Sequence, residues 1–285
     1  MADRLPIRRI GIIGTGRVAR ALALGFARHA TVTMWGRSPD KLAAIAGVET
    51  AETCAMLAAR SDVLAICVAD DAIAAVADGL ARTASFAHAP LVFHVSGRSG
   101  AAVLAPLRDK GSLAAAIHPA MTFTGDPAQE VRRMAGARFA ITAADLQAET
   151  KAKEIVAMLG GVAVRIAEEH RTLYHAALSH AANHLVTLIA GASAALRAAG
   201  VSDPGALLTP LVQASLDNSL IGGFSALSGP LLRGDADTVR GHIAALASAC
   251  PDVLPAYQAM ALATLDEFER QGAPAQDALR EDLSH

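Results

Sequence analysis

The chain has 285 residues, room for one large domain or two ordinary ones, and its 53% hydrophobic against 18% charged content excludes a disordered polymer. A formal net charge of −2, with no Lys/Arg cluster, argues against a nucleic-acid surface. The longest apolar stretch, Leu185 to Leu196, is interrupted by Thr187, Gly191 and Ser193 and is too short for a membrane span of about 20 residues. The first β-type run begins within ten residues of Met1, so no signal peptide is expected. Cys54, Cys67 and Cys250 are odd in number and widely spaced, so the expectation is buried free thiols in a reducing cytoplasm. Aromatic residues make up only 4% and Ala is abundant. Ala-rich helices pack closely, and a small domain built from them often completes its core against a second copy.

In chain order, Ile10 to Ile13 is a short apolar run followed at once by Gly14-Thr15-Gly16-Arg17-Val18-Ala19, and an amphipathic helix then extends through Phe26. This G-x-G-x-x-A stands where a dinucleotide fingerprint requires it, between strand and helix. Gly14 allows the tight turn, Gly16 lets a pyrophosphate approach the backbone, and Ala19 lets helix and strand pack closely. The N–H groups at Thr15, Arg17 and Val18 then point at the phosphates.

The next strand, Thr31 to Trp35, leads into Arg37, Ser38 and Lys41. An NAD-preferring chain usually offers a carboxylate here to the ribose 2′-hydroxyl. Two cations and a hydroxyl suit a 2′-phosphate instead, which favours NADP(H); the alternative is a solvated turn before a helix beginning at Ser38-Pro39-Asp40. Val63 to Val68 and Leu91 to Val95 are further strands, each ending in a turn and a helix. Their carboxyl ends place Val68, Ala69, Ser96 and Gly97 near the nicotinamide in a parallel sheet. Asp70 and Asp71 serve equally well as helix caps. A strand over Leu113 to Ile117 brings His118 to the same edge, or leaves it a turn histidine held by Pro119. Arg138 to Thr142 and Val162 to Ile166 bracket an amphipathic helix and close the sheet.

The sequences "VADDAI" (Val68 to Ile73), "HVSG" (His94 to Gly97), "IHPAMTF" (Ile117 to Phe123), "YHAALSHAANHLV" (from Tyr174) and "SGPLLRGD" (Ser228 to Asp235) follow the glycine fingerprint in order. Together they resemble the Rossmann-like proteins with a DUF2520 C-terminal domain, within the wider 6-phosphogluconate dehydrogenase-like group. That group also holds pyrroline-5-carboxylate, ketopantoate and F420-dependent NADP reductases. The resemblance covers nearly the whole chain. It implies an NADP-binding α/β domain, here residues 1–167, joined to an all-helical domain, residues 168–285, often dimeric and with the active site in the cleft between them.

From Glu168 onward the pattern is helical, with one long helix expected from Glu168 to Ala199 and breaks at Gly200 to Gly205, at "IGGFSALSGP" and at "ACPDVLP". On that helix His175, Ser179 and Asn183 recur every four residues and form a polar stripe. His180 and His184 form a second pair on the other side, which could hold zinc only with ligands that cannot be read off. In hydroxyacid dehydrogenases of the wider group a Lys and an Asn one turn apart face the nicotinamide. Asn183 falls at the Asn position, but Ser179 stands where the Lys would be. The four lysines, Lys41, Lys110, Lys151 and Lys153, all lie in the first half.

The expectation is therefore an NADPH-dependent oxidoreductase that reduces a small polar carbonyl or imine. His175 is the first candidate proton donor and His118 the second, with Asn183, Ser179 and Ser96 orienting the substrate and Arg98 or Arg233 available for a carboxylate. A buried polar stripe bonded to neighbouring helices, or a non-catalytic NADP(H) sensor, are the alternatives.

Overall fold

The computed structural model describes residues 7–43, 47–86 and 88–284. The chain divides into two compact units, Met1–Ser179 and His180–His285. In chain order the first carries β1 (Arg9–Ile13), α1 (Arg17–Phe26), β2 (Thr31–Trp35), α2 (Pro39–Ala43), β3 (Glu49–Thr50), α3 (Cys54–Arg60), β4 (Val63–Ile66) and α4 (Ile73–Thr83). It continues with β5 (Leu91–His94), α5 (Ala105–Arg108), β6 (Leu113–Pro119), α6 (Pro127–Met134), β7 (Arg138–Ala143), α7 (Leu146–Met158), β8 (Val162–Arg165) and the start of α8 (Arg171–Ala198).

The strands form one sheet in the order β3-β2-β1-β4-β5-β6-β7-β8. All junctions are parallel except β6–β7, where Ile117 faces Ile141 in antiparallel register. The sequence pattern suggests a parallel sheet, and this one junction differs. The chain returns from α6 to the carboxyl end of β6, where Ala120 N donates to Arg138 O at 2.9 Å, so β7 starts beside Pro119 and runs back.

Two helical layers cover the sheet because its strands alternate with a period of two. Ile10, Ile12, Val63, Ala65 and Phe93 pack with Phe26 of α1, Met134 of α6 and Ile155 of α7. Ile13, Leu64, Ile66 and Val92 pack on the other face with Leu57 of α3, Leu80 of α4 and Leu107 of α5. Buried on both faces, β4 and β5 read as unbroken apolar runs. The order reverses between β1 and β4, and the carboxyl ends there open on the crevice where ligands bind in such sheets.

The last strand ends at Arg165, and a single 3₁₀ turn, Glu168–His170, leads into α8. The helix thus begins three residues later than the expected Glu168. The second unit holds the rest of α8 with α9 (Pro204–Gly222), α10 (Pro230–Arg233), α11 (Ala236–Ala249), α12 (Leu254–Arg270) and α13 (Asp277–Ser284). Its core is small: Val239, Ala261, Leu265, Leu279 and Leu283. The predicted breaks are present, with Gly200 at φ +89° and Asp203 accepting the Ala206 N–H at 3.0 Å as N-cap of α9. Asp235 caps α11 in the same way. Among the described residues no helix is long and apolar enough to cross a membrane.

Candidate active site

Gly14 and Gly16 do different work. Gly14 has φ +123°, and a Cβ there would lie 2.1 Å from the Cys67 carbonyl oxygen at the end of β4. Its N–H donates to Trp35 O at 2.9 Å, so the turn after β1 is pressed between both neighbouring strands. Gly16 is the N-cap of α1; a Cβ there would meet nothing within 4 Å, and no side chain caps the helix. The first N–H groups of α1, from Arg17 and Val18 onward, therefore face an open space, which fits a pyrophosphate. Thr15 packs its methyl over Gly36 and gives its carbonyl to Arg20. Arg17 Nη1 donates to Phe123 O at 3.2 Å and so ties α1 to the loop after β6.

Arg37, Ser38 and Lys41 are all exposed just past the carboxyl end of β2, next to the Gly14 turn. Val68 and Ala69 emerge beside the same turn, because Cys67 N donates to Ile13 O at 2.7 Å. Neither Asp70 nor Asp71 caps α4. A 3₁₀ turn over Asp70–Ala72 comes first and aims Asp70 at the loop after β5. There Ser96 Oγ donates to Asp70 Oδ2 at 2.8 Å, and Arg98 Nε lies 3.4 Å from the same oxygen. Ser96 Oγ also accepts the Ser99 N–H. The hydroxyl is thus engaged on both sides, and Arg98 is already partnered by a carboxylate.

The His94 side chain fixes the shape of that loop. It is fully buried, with Nε2 2.8 Å from Gly100 O while Nδ1 accepts the Ser96 N–H. These contacts select the neutral Nε2–H form, and burial, more than any neighbouring charge, holds its pKa down at about 4. Glu168 closes the far side by accepting the Ala101 and Ala102 N–H groups.

Beside this loop, β6 and the first turn of α8 bring three rings together. His118 Nδ1 lies 2.9 Å from the Tyr174 hydroxyl, and the His118 and His175 rings meet edge to face at 6.2 Å between centroids. Gly97 makes room for them: a Cβ there would lie 2.6 Å from His175 Cδ2 and 3.1 Å from His118 Nε2. Burial first, then the charges of Arg171 and His175, lower the His118 pKa to about 4. His118 is therefore a neutral imidazole near neutral pH.

Arg171 lies beneath the cluster, 1% exposed. Nε donates to Thr142 Oγ1 at 2.7 Å, and Nη2 to Ala116 O and Ala140 O, each at 3.1 Å. Nη1 makes longer contacts to Ser96 O and Gly97 O. Each of these partners is a neutral oxygen. Burial lowers the guanidinium pKa to about 10, so the group remains charged.

Ser179 is half-buried and Asn183 exposed; they fall in different compact units. His180 and His184 approach at 2.9 Å between their Nδ1 atoms and are exposed. Among the described residues no cluster of three or more metal-ligating side chains forms. Arg233 ends α10 and borders a surface cavity with Phe268 and Gln276. Burial raises the Cys54 thiol to about 11 and Cys67 to about 12, so both stay protonated; Cys54 and Cys250 are half-buried rather than enclosed. Sequence reading missed Arg171, Tyr174, Glu168 and the Asp70–Ser96 bond. Arg171 stands four residues before His175, so the same helical spacing extended one turn backward reaches it, whereas Tyr174, one residue before His175, lies off that stripe.

Two family models match successive parts of the chain. Residues 2–119 match the model of the Rossmann-like domain, which defines the class of fold. Residues 137–264 match the domain of unknown function DUF2520, so the chain is a Rossmann-like protein carrying a DUF2520 domain. No curated protein matches the sequence. A Thermotoga maritima protein superposes with a TM-score of 0.68 at 21% identity, over 92% of this chain and 99% of its own. A reductive aminase from Aspergillus terreus, solved with NADPH and ethyl-5-oxohexanoate, gives 0.69 at 18% identity over 97% and 99%. An imine reductase from Myxococcus stipitatus, solved with NADP+, gives 0.67 at 19% over 97% and 100%. At these identities the likeness is one of fold.

Proposed function

We propose that this protein is an NADP(H)-dependent oxidoreductase that reduces a small polar carbonyl or imine, with residues 1–167 as the nucleotide domain and 168–285 as the substrate and dimerisation domain. The observation that carries the reading is a juxtaposition. The open N-terminus of α1 and the His118–Tyr174–His175 cluster lie at the carboxyl ends of the same sheet, on β1 and β6 respectively. Gly14 to Val18 hold the pyrophosphate, Arg37, Ser38 and Lys41 face the 2′-phosphate, and Val68 and Ala69 border the nicotinamide ribose. Bound there, the nicotinamide supplies a hydride; the chain supplies position and field. His175, Ser179 and Asn183 orient the substrate, and Ser96, tied to Asp70, holds the loop that carries Gly97. The names of the solved neighbours, an imine reductase and a reductive aminase, support this class of reaction.

Titration with NADPH and NADH tests the cofactor. Hydrogen bonds to charged groups are worth about 1.5–3 kcal/mol, so Arg37→Ala weakens NADPH roughly 10- to 100-fold and spares NADH. Equal affinity for the two cofactors in the unsubstituted protein refutes the assignment. An NADPH oxidation screen over keto acids, aldehydes and cyclic imines tests the reaction. Tight NADPH binding with no turnover favours the sensor reading, for which Ser179 at the lysine position is the specific observation.

The same reading includes a homodimer. Helix α9 is apolar on most sides, yet Leu220 and Ile221 are 77% and 90% exposed, alongside Leu207 and Leu211. Such a helix requires a cover, and a second copy provides one. Sedimentation as a monomer at micromolar concentration refutes this part.

A further inference from the structure

We propose that Tyr174 is the proton donor of the reaction, with His118 as the hydrogen-bond donor that orients its hydroxyl and Arg171 as the fixed charge that stabilises its anion. The proposal rests on the reductase reading above and assigns it a group that reading leaves open.

Each hydroxyl and imidazole at the sheet edge has a distinct status. The Ser96 hydroxyl is spent on Asp70 and Ser99. His94 is spent on Gly100 and Ser96 and is buried. His118, at about 4, holds no transferable proton at neutral pH. Tyr174 differs because burial raises its pKa above the ordinary phenol value, so it keeps its proton until a substrate takes it. Its oxygen lies 2.9 Å from His118 Nδ1. A neutral imidazole carries one ring hydrogen. In the Nδ1–H form it donates to the tyrosine oxygen and leaves the phenol hydrogen free to turn toward a substrate.

The step balances. The Tyr174 O–H bond breaks and its proton forms the new O–H or N–H bond on a carbonyl or unprotonated imine whose carbon is reduced by the nicotinamide. The tyrosinate left behind accepts the His118 Nδ1–H bond, with the Arg171 guanidinium carbon 5.8 Å from its ring centroid. Solvent then returns the proton. The other groups acting on this pair are His175 from α8, His94 from β5, Asp70 from the loop after β4, and, through Arg171, Glu168.

The chain has only two tyrosines, which makes a direct test possible. In full-length Tyr257→Phe protein, ultraviolet difference absorbance follows the ionisation of Tyr174 alone, with circular dichroism to show that the fold persists. His118→Phe in that background raises the midpoint by about one to two pH units, the worth of a hydrogen bond to a charged group. An unchanged or lowered midpoint overturns the proposal without reference to any substrate. With a substrate found in the NADPH screen, Tyr174→Phe lowers kcat roughly 10²- to 10⁴-fold, with KM and NADPH affinity within a few-fold of the parent. A Tyr174→Phe enzyme of full kcat, or a comparable loss confined to His175→Gln, overturns it as well. If the unsubstituted protein turns over nothing, the reductase reading fails while the titration still decides the Tyr174–His118 pair.

Discussion

The two glycines of the phosphate turn provide a discriminating experiment, since they differ in what a single methyl group would meet. At Gly14 the methyl carbon lies 2.1 Å from the Cys67 carbonyl oxygen and 2.8 Å from its carbon, both backbone atoms of the central sheet, and φ is +123°. Backbone strain of about 1–3 kcal/mol adds to an overpacking cost of similar size, so Gly14→Ala loses about 3 kcal/mol or more. For a chain of this size that lowers Tm by roughly 6–12 °C. At Gly16 the same methyl meets no protein atom within 4 Å and φ is −71°. Gly16→Ala should therefore leave stability within about 0.5 kcal/mol of the parent. The methyl then occupies the space through which a phosphate reaches the α1 amides. If crowding there costs about 1–3 kcal/mol, NADPH binding weakens roughly 5- to 150-fold. Thermal unfolding without nucleotide, paired with an NADPH fluorescence titration, separates the two effects. Undiminished NADPH affinity in Gly16→Ala would mean the nucleotide does not use this helix end. A Gly16→Ala Tm loss equal to that of Gly14→Ala would mean the turn is a packing device only.

Gly97→Ala places a carbon 2.6 Å from His175 and 3.1 Å from His118, and Gly97 is not among the glycines with positive φ. It should displace both rings and lower kcat at least roughly 10-fold, with NADPH affinity retained; kinetics equal to the parent would show that the rings do not serve the reaction. The pH dependence of stability follows from His94 and His118, whose folded pKa values of about 4 lie below the ordinary 6.5. Between those values the unfolded chain binds more protons, so stability rises with pH through this window and is lost as pH falls. For the more buried His94 the loss approaches about 3 kcal/mol at the acid end. A Tm that is flat from pH ~7 to ~4 contradicts the buried neutral imidazoles. Arg171→Met removes five hydrogen-bond contacts that join β6, β7 and the loop after β5 to α8; a cost of about 3 kcal/mol is expected in chemical denaturation, and a change under about 1 would refute the role of Arg171 as a structural hub.

The sheet was legible because its strands obey two simple rules. Buried strands such as Val63–Ile66 and Leu91–His94 are continuous apolar runs bounded by turns, and the glycine fingerprint marks where the first strand must end. The antiparallel entry of β7 was not legible, since it depends on the end of the sheet to which the chain returns after α6 rather than on any residue in β7. The same limit applies to the site. Gly14, Gly16 and the exposed cations after β2 announce themselves by motif and position. His118 and His175 are expected from a strand end and a helical repeat, and the structure brings their rings together. Arg171 is not expected, because an arginine in "EEHRTLYH" has the look of an exposed first turn. Its burial is decided by partners 29 to 75 residues away in sequence. Capping the helix that follows is one of the choices open to the Asp70 carboxylate in the sequence, and a long-range hydroxyl donor at Ser96 takes it instead.

Arg171 also links the unexpected strand direction to the chemistry. The antiparallel register sets Ala116 opposite Thr142 and His118 opposite Ala140, so carbonyls from two strands and one hydroxyl converge on a single guanidinium. A carboxylate at this point would have held the helix start as firmly and cancelled the charge. Neutral oxygens hold the helix instead, and Glu168, the carboxylate that acts on the guanidinium, is bonded to the Ala101 and Ala102 N–H groups, while burial draws the guanidinium pKa down to about 10. The field acts on every titratable neighbour with one sign. It opposes a proton on His94 and His118, and it favours an anion on Tyr174. At 5.8 Å and an effective dielectric of about 20, the attraction for a tyrosinate is on the order of 3 kcal/mol. Burial outweighs it in the free protein, so the phenol keeps its proton; the field counts when that proton leaves.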